Sequence, residues 1–214
     1  MAKARHYVIP FGLFLFLTEL SRYFPGQFYL IYAFKTVLVG AFLWLWREKF
    51  RELYSLPKPK EVGLALFSGL LVCVIWVGGE AFFPQTGASK AFSPFGQDLP
   101  RSVVLLQIFF RLLGAVVVVA VLEELFWRSF LMRYLIDKNF QQVPLGTYTH
   151  FSFWAVVFLF ALEHFRIVPG AMAGALYGAL LCFTRNIWVP ILAHATTNLA
   201  LGLYVLRTGS WGFW

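Results

Sequence analysis

Read by apolar and polar positions, the chain is a series of long apolar runs joined by short polar connections. The runs fall at about Tyr7 to Leu20, Phe28 to Trp46, Val62 to Phe83, Ser102 to Ile136, His150 to Phe165, Pro169 to Thr184 and Ile187 to Leu206. Most approach or exceed the roughly 20 residues that carry a helix across a hydrocarbon core of about 30 Å. Apolar residues within each run are continuous rather than alternating, which selects helices over the strands of a barrel. Backbone groups in lipid must also be satisfied internally. The pattern therefore predicts an all-α, polytopic transmembrane helical bundle of about seven spans (seven to eight).

The connections supply the punctuation. Pro25-Gly26 marks a turn, Pro57 and Pro59 interrupt a basic stretch from Arg47 to Glu61, and Pro84 to Pro100 reads as a loop rich in Gly, Pro, Ser and Gln. The fourth run is about 35 residues, or roughly 52 Å of helix, too long for one ordinary span. A division at Gly114 yields an interfacial or re-entrant piece, with Gln107 and Arg111 on one face, followed by a true span from Ala115. Lys3 and Arg5 precede the first run, but no small-residue cleavage site follows it, so it reads as a retained span. Gly170, Gly174 and Gly178 recur every four residues, which predicts the close approach of a neighbouring helix. Residues 1–100 are read as N-terminal spans and a loop, and 101–214 as a helical core, together one integral membrane domain.

Composition agrees with this reading. The 214 residues are 60% hydrophobic and only 13% charged, against about 25% charged in soluble domains. The net charge of +8 does not indicate nucleic acid. Arg47, Lys49, Arg51, Lys58 and Lys60 cluster in one connection, as the positive-inside bias produces, and this predicts a cytoplasmic N-terminus and a C-terminus outside. Cys73 and Cys182 lie in apolar runs with no Cys-x-x-Cys pair, so neither a disulfide framework nor a thiolate metal site is indicated.

Polar residues inside the spans are the candidates for chemistry, because an unpaired charge in a bilayer costs at least a few kcal/mol. Glu124 and Arg128 are four apart and share a helix face, so they pair. Glu123 is rotated by about 100°; its neighbour four residues on is Trp127, and it has no local cation. Glu163-His164 closes the fifth span, and His194 and Asn198 share a face of the seventh. A carboxylate and a histidine sharing one water form a general base, and His194 with Asn198 can donate to an oxyanion. Glu123, His164 and His194 are also a chemically reasonable zinc set with an open position, and zinc is the one cofactor these residues suggest. Glu163 adjoins a span end and reads as interfacial; Arg111, Lys35 and Glu80 read as snorkelling or structurally paired. Two non-hydrolytic readings compete: a membrane scaffold or immunity protein held together by the same groups, and a small proton-coupled transporter using Glu and His as a relay. No inverted internal repeat supports the transporter.

Three arrangements stand in order on successive apolar helices: Glu123-Glu124 with Arg128, Phe160 with His164, and His194 with Asn198. Together they resemble the CPBP family of intramembrane proteases, the type II CAAX prenyl endopeptidase or Abi family, over about Val121 to Ala200. The wording Glu-Glu-Leu-Phe-Trp-Arg is also similar to a bacterial subgroup of CAAX prenyl protease-related proteins found with exosortase systems. The resemblance implies an endopeptidase cutting near the C-terminus of a membrane-associated, CAAX-like lipidated protein, in the membrane of a bacterial or archaeal cell. It implies that Glu123 and His164 activate water, that His194 and Asn198 form the oxyanion hole, and that Glu124, Arg128 and Phe160 support them. Both metal-dependent and metal-independent glutamate mechanisms have been described for that family. Two points fit poorly. The predicted boundaries put His164 late in one span and His194 early in another, at different depths, and the family often has an eighth span.

Overall fold

The computed structural model describes residues 4–83, 93–95 and 99–213. The expected loop from Pro84 to Pro100 lies largely outside these residues, as do Lys3 and the last residue of the aromatic tail. Among the described residues there are seven principal helices and no strand. They are α1 (Arg5–Tyr23), α2 (Phe28–Leu45), α3 (Pro59–Gly78), α4 (Arg101–Tyr134), α5 (His150–Leu162), α6 (Ile167–Thr184) and α7 (Trp188–Thr208). Each coincides with one predicted run. Five of them, α2, α3, α4, α6 and α7, are long and apolar enough to cross a membrane. Large apolar side chains such as Trp44, Phe158, Phe183 and Leu203 face outward, as a lipid-facing surface requires.

The expected division at Gly114 is not present: α4 runs unbroken for 34 residues. Two widened π turns, Gly114–Val119 and Leu125–Leu131, lie within it. Gly114 serves packing instead. A Cβ there would lie 2.6 Å from Thr36 Oγ1 and 2.7 Å from the Tyr32 ring, so only glycine lets α2 cross against α4 at this height. Turns of the π type occur frequently at functional sites, and Glu123-Glu124 falls between these two.

The glycine stripe of α6 does what its spacing predicts, and its partner is α5. A Cβ at Gly170 would meet His164 at 3.2 Å, one at Gly174 would meet Phe160 at 3.1 Å, and one at Gly178 would meet Phe153 at 2.8 Å. A second close approach joins α3 to α7, where Gly69 faces the Ala193 carbonyl and Thr196. At the same place Thr197 Oγ1 lies 2.8 Å from the Gly69 carbonyl. Phe11 of α1 stacks on Phe126 of α4 with ring centroids 3.7 Å apart. The helices α1, α2 and α3 are therefore built into the same bundle as the rest.

The basic connection after α2 is anchored rather than freely solvated. Glu52 accepts hydrogen bonds from the Tyr7 hydroxyl at 2.9 Å and from Ser129 Oγ, and its Oε1 lies 3.8 Å from Arg133 Nη2. Trp188 Nε1 donates to the Leu53 carbonyl at 2.8 Å. One carboxylate thus ties the connection to both α1 and α4.

Candidate active site

The site grows from the middle of α4. Glu124 and Arg128 are fully buried and Glu123 is 6% exposed. The expected pair forms, with Arg128 Nε 3.2 Å from Glu124 Oε2. The same carboxylate reaches a second helix, where Glu124 Oε1 lies 3.0 Å from His194 Nδ1. Arg128 also donates through Nη2 to the Gly174 carbonyl at 3.3 Å and lies 4.2 Å over the Phe160 ring. Four helices, α4, α5, α6 and α7, meet at one buried charge cluster.

Glu123 differs from its neighbour. It makes no hydrogen bond or ion pair among the described residues, and its Oε2 is buried without a partner. Glu163, Glu124, Arg128 and Lys35 are the charged groups around it. Sequence reasoning placed Glu163 at the interface; it instead lies half-buried in the cluster, accepting from Trp127 Nε1 at 3.0 Å. Its adjacency to His164 was the available signal.

The two histidines come to one cavity of about 280 Å³, whose wall includes His164, Glu163, His194, Asn198, Tyr177 and Arg111. The expected difference in depth is removed by the length of α5. Its 13 residues rise only about 20 Å, short of a hydrocarbon thickness near 30 Å. The turn that carries His164 follows this short helix and lines the cavity. Phe160 stands between the two rings, its centroid 4.7 Å from His164 and 6.2 Å from His194. Glu123 is not among the residues lining this cavity.

Each cavity-facing group has one polar atom fixed by protein. His164 Nδ1 lies 2.8 Å from the Phe160 carbonyl, which places the proton on Nδ1 and leaves Nε2 as an acceptor. His194 stacks on Tyr177 at 5.2 Å and is held through Nδ1 by Glu124, leaving Nε2 free. Asn198 donates one amide hydrogen to the Ala115 carbonyl at 2.8 Å, inside the first π turn of α4, and keeps the other. Tyr177, which sequence reasoning missed, donates to Thr197 at 2.7 Å and so fixes α6 against α7. Among the described residues no three His, Cys, Asp or Glu side chains gather as a metal-binding group.

Residues 105–200 match the family model described as type II CAAX prenyl endopeptidase Rce1-like. The match begins in α4 ahead of Arg111 and ends in α7 just past Asn198, so it contains all three motifs. No curated protein and no solved structure matches the chain.

Proposed function

We propose, from the similarity of residues 105–200 to the Rce1-like CAAX endopeptidase family, that this chain is an intramembrane endopeptidase. It hydrolyses a peptide bond near the C-terminus of a membrane-associated protein, a CAAX-like lipidated protein being the substrate class the family suggests. The observation that carries the reading is the shared cavity: His164, His194 and Asn198 face it, each with one polar atom anchored and one left for a ligand.

In this reading His164 Nε2 accepts a proton from a cavity water as its oxygen attacks the scissile carbonyl carbon. Glu123, the buried carboxylate of the cluster without a partner among the described residues, is outside the cavity wall and is assigned the balancing of the positive charge that develops on His164. The carbonyl oxygen becomes an oxyanion and takes hydrogen bonds from the spare Asn198 amide hydrogen and from His194 Nε2–H. For Nε2 to donate while Nδ1 is bound to Glu124, His194 must be an imidazolium. Glu124 is placed to hold that charge, with Arg128 holding Glu124 in turn. Collapse of the intermediate breaks the C–N bond, and the proton on His164 passes to the leaving amine.

The test compares wild type with Glu123→Gln, His164→Ala, His194→Ala and Asn198→Ala, reconstituted in proteoliposomes with a C-terminally tagged, lipidated membrane substrate. Glu123→Gln and His164→Ala are expected to abolish cleavage while still inserting. Asn198→Ala is expected to slow it by about 10²–10³-fold, the usual effect of removing an oxyanion donor. Cleavage that survives every substitution overturns the assignment of these residues. Cleavage stopped by a chelator and restored by zinc assigns the chemistry to a metal. A wild type that cuts no candidate substrate returns the chain to the scaffold reading.

A further inference from the structure

Arg111 presents a charge to the cavity that pairs with no carboxylate among the described residues. It lies on α4 one turn before Ala115, and both line the cavity with Asn198. Its guanidinium stands 4.5 Å over the Tyr32 ring and 5.9 Å from the Phe28 ring centroid. None of the ion pairs among the described residues includes it. The other arginine in the cavity wall, Arg166, is matched by Glu80 through two contacts of 2.5 Å.

A second cation adds to the imbalance. Lys35 Nζ lies 4.7 Å from the centroid of the same Tyr32 ring, and its hydrogen-bond partner is the neutral Thr18 hydroxyl at 2.8 Å. Two cations therefore share one aromatic ring inside the bundle, and the carboxylate that acts on this group, Glu123, lies on the Lys35 side and pairs with neither cation directly. Cation–π contacts recover only about 0.5–2 kcal/mol each, and charges within spans are otherwise found paired or facing a water-filled cavity. Arg111 faces the cavity. A guanidinium there is a fork suited to a carboxylate.

We propose that Arg111 receives the free C-terminal carboxylate of the peptide substrate and thereby sets how far from the chain end the bond is cut. This rests on the endopeptidase reading above. The distances along α4 support the assignment. Arg111 precedes Ala115 by four residues, about 6 Å along the axis, and the Ala115 carbonyl holds Asn198. A peptide whose scissile carbonyl sits at Asn198 and whose end reaches Arg111 covers that rise plus the length of the arginine side chain. At about 3.3–3.6 Å per extended residue, this spaces the carboxylate roughly two to four residues beyond the cut. Trp76, Leu112, Leu201 and Val205 in the same wall give the intervening side chains an apolar surface.

The experiment uses one lipidated peptide substrate made as the free acid and as the C-terminal amide, presented to the full-length protein in proteoliposomes. Wild type is expected to favour the acid by about tenfold or more in kcat/KM, most of it in KM. Arg111→Gln is expected to bring the acid-to-amide ratio to about one, and Arg111→Lys to retain part of the preference. A wild-type ratio near one overturns the proposal, as does a high ratio that survives Arg111→Gln. If Arg111→Gln does not fold, the wild-type ratio together with Arg111→Lys decides. A second arm measures binding rather than turnover, using an S-farnesylated hexapeptide ending Cys-Val-Leu-Leu against Glu123→Gln protein. Tighter binding of the acid supports the carboxylate site even where wild type cleaves nothing, so failure of the protease reading is separable from failure of this one. Equal binding of acid and amide, binding of neither, or displacement of both by free palmitate overturns it.

Discussion

Adjacent glutamates with opposite consequences make the sharpest test of the charge cluster. Glu124 contacts Arg128 at 3.2 Å and His194 at 3.0 Å with no solvent exposure, whereas Glu123 has no partner among the described residues. At 3.2 Å and an effective dielectric of about 20, the Glu124–Arg128 attraction is about 5 kcal/mol. Breaking a buried pair by removing one partner typically costs about 3–5 kcal/mol, because it strands the other charge. Glu124→Gln is therefore expected to lower the unfolding midpoint by roughly 10 °C in a chain of this size. Glu123→Gln removes a buried, unpartnered carboxylate and is expected to leave the midpoint unchanged or raise it, while abolishing cleavage. The assay is thermal unfolding in detergent, followed by tryptophan fluorescence, beside the cleavage assay on the same preparations. If Glu124→Gln melts with wild type, or Glu123→Gln melts far below it, the division into a structural and a reactive glutamate is wrong.

Two further outcomes follow from packing. Gly178→Ala places a methyl 2.8 Å from the Phe153 ring and is expected to cost about 1–3 kcal/mol as overpacking. Gly63→Ala, with nothing within 4 Å, is expected to be neutral or to stabilise by up to about 1 kcal/mol through helix propensity; unfolding midpoints compare the two. Glu52→Ala strips acceptors from Tyr7 and Ser129 and the counter-charge from buried Arg133. It is expected to destabilise by about 3 kcal/mol or more and to expose the connection at residues 47–55 to proteolysis. Unaltered cleavage by added trypsin at this connection would show that Glu52 does not anchor it.

The spans were legible because lipid imposes one rule on every backbone group: continuous apolar runs gave seven helices in the right places. Helix lengths were harder to read. α4 continues through Gly114 because that glycine meets Tyr32 and Thr36 of α2, a contact distant in sequence and invisible in periodicity. The i,i+4 rule found Glu124–Arg128, and the motif order found His164, His194 and Asn198, because these are local spacings. Glu124–His194 is a contact between helices 70 residues apart, and no local rule contains it. The contact of Glu163 with Trp127 of α4, 36 residues away, is likewise one that no local spacing contains. A short α5 looks like a span whose end is at the interface until its 13 residues are measured against the membrane.

The glycine stripe, silent about chemistry in the sequence, turns out to be a condition for the site. Arg128 donates to the Gly174 carbonyl, and the glycine lets Phe160 lie against the same backbone, since a Cβ at Gly174 would stand 3.1 Å from the Phe160 ring. Phe160 lies under the Arg128 guanidinium and stands between the two histidine rings. Its carbonyl fixes the His164 tautomer. One aromatic residue thus couples the α5–α6 approach, the charge cluster of α4 and the orientation of both imidazoles. The phenylalanine of the second motif is a positioning residue in this arrangement: its ring sets the separation of the histidines, and its backbone sets which nitrogen of His164 is free to accept a proton. Small residues on α6 and a large one on α5 are therefore one device, which brings polar groups from separate helices into a shared cavity while keeping them off the lipid-facing surface.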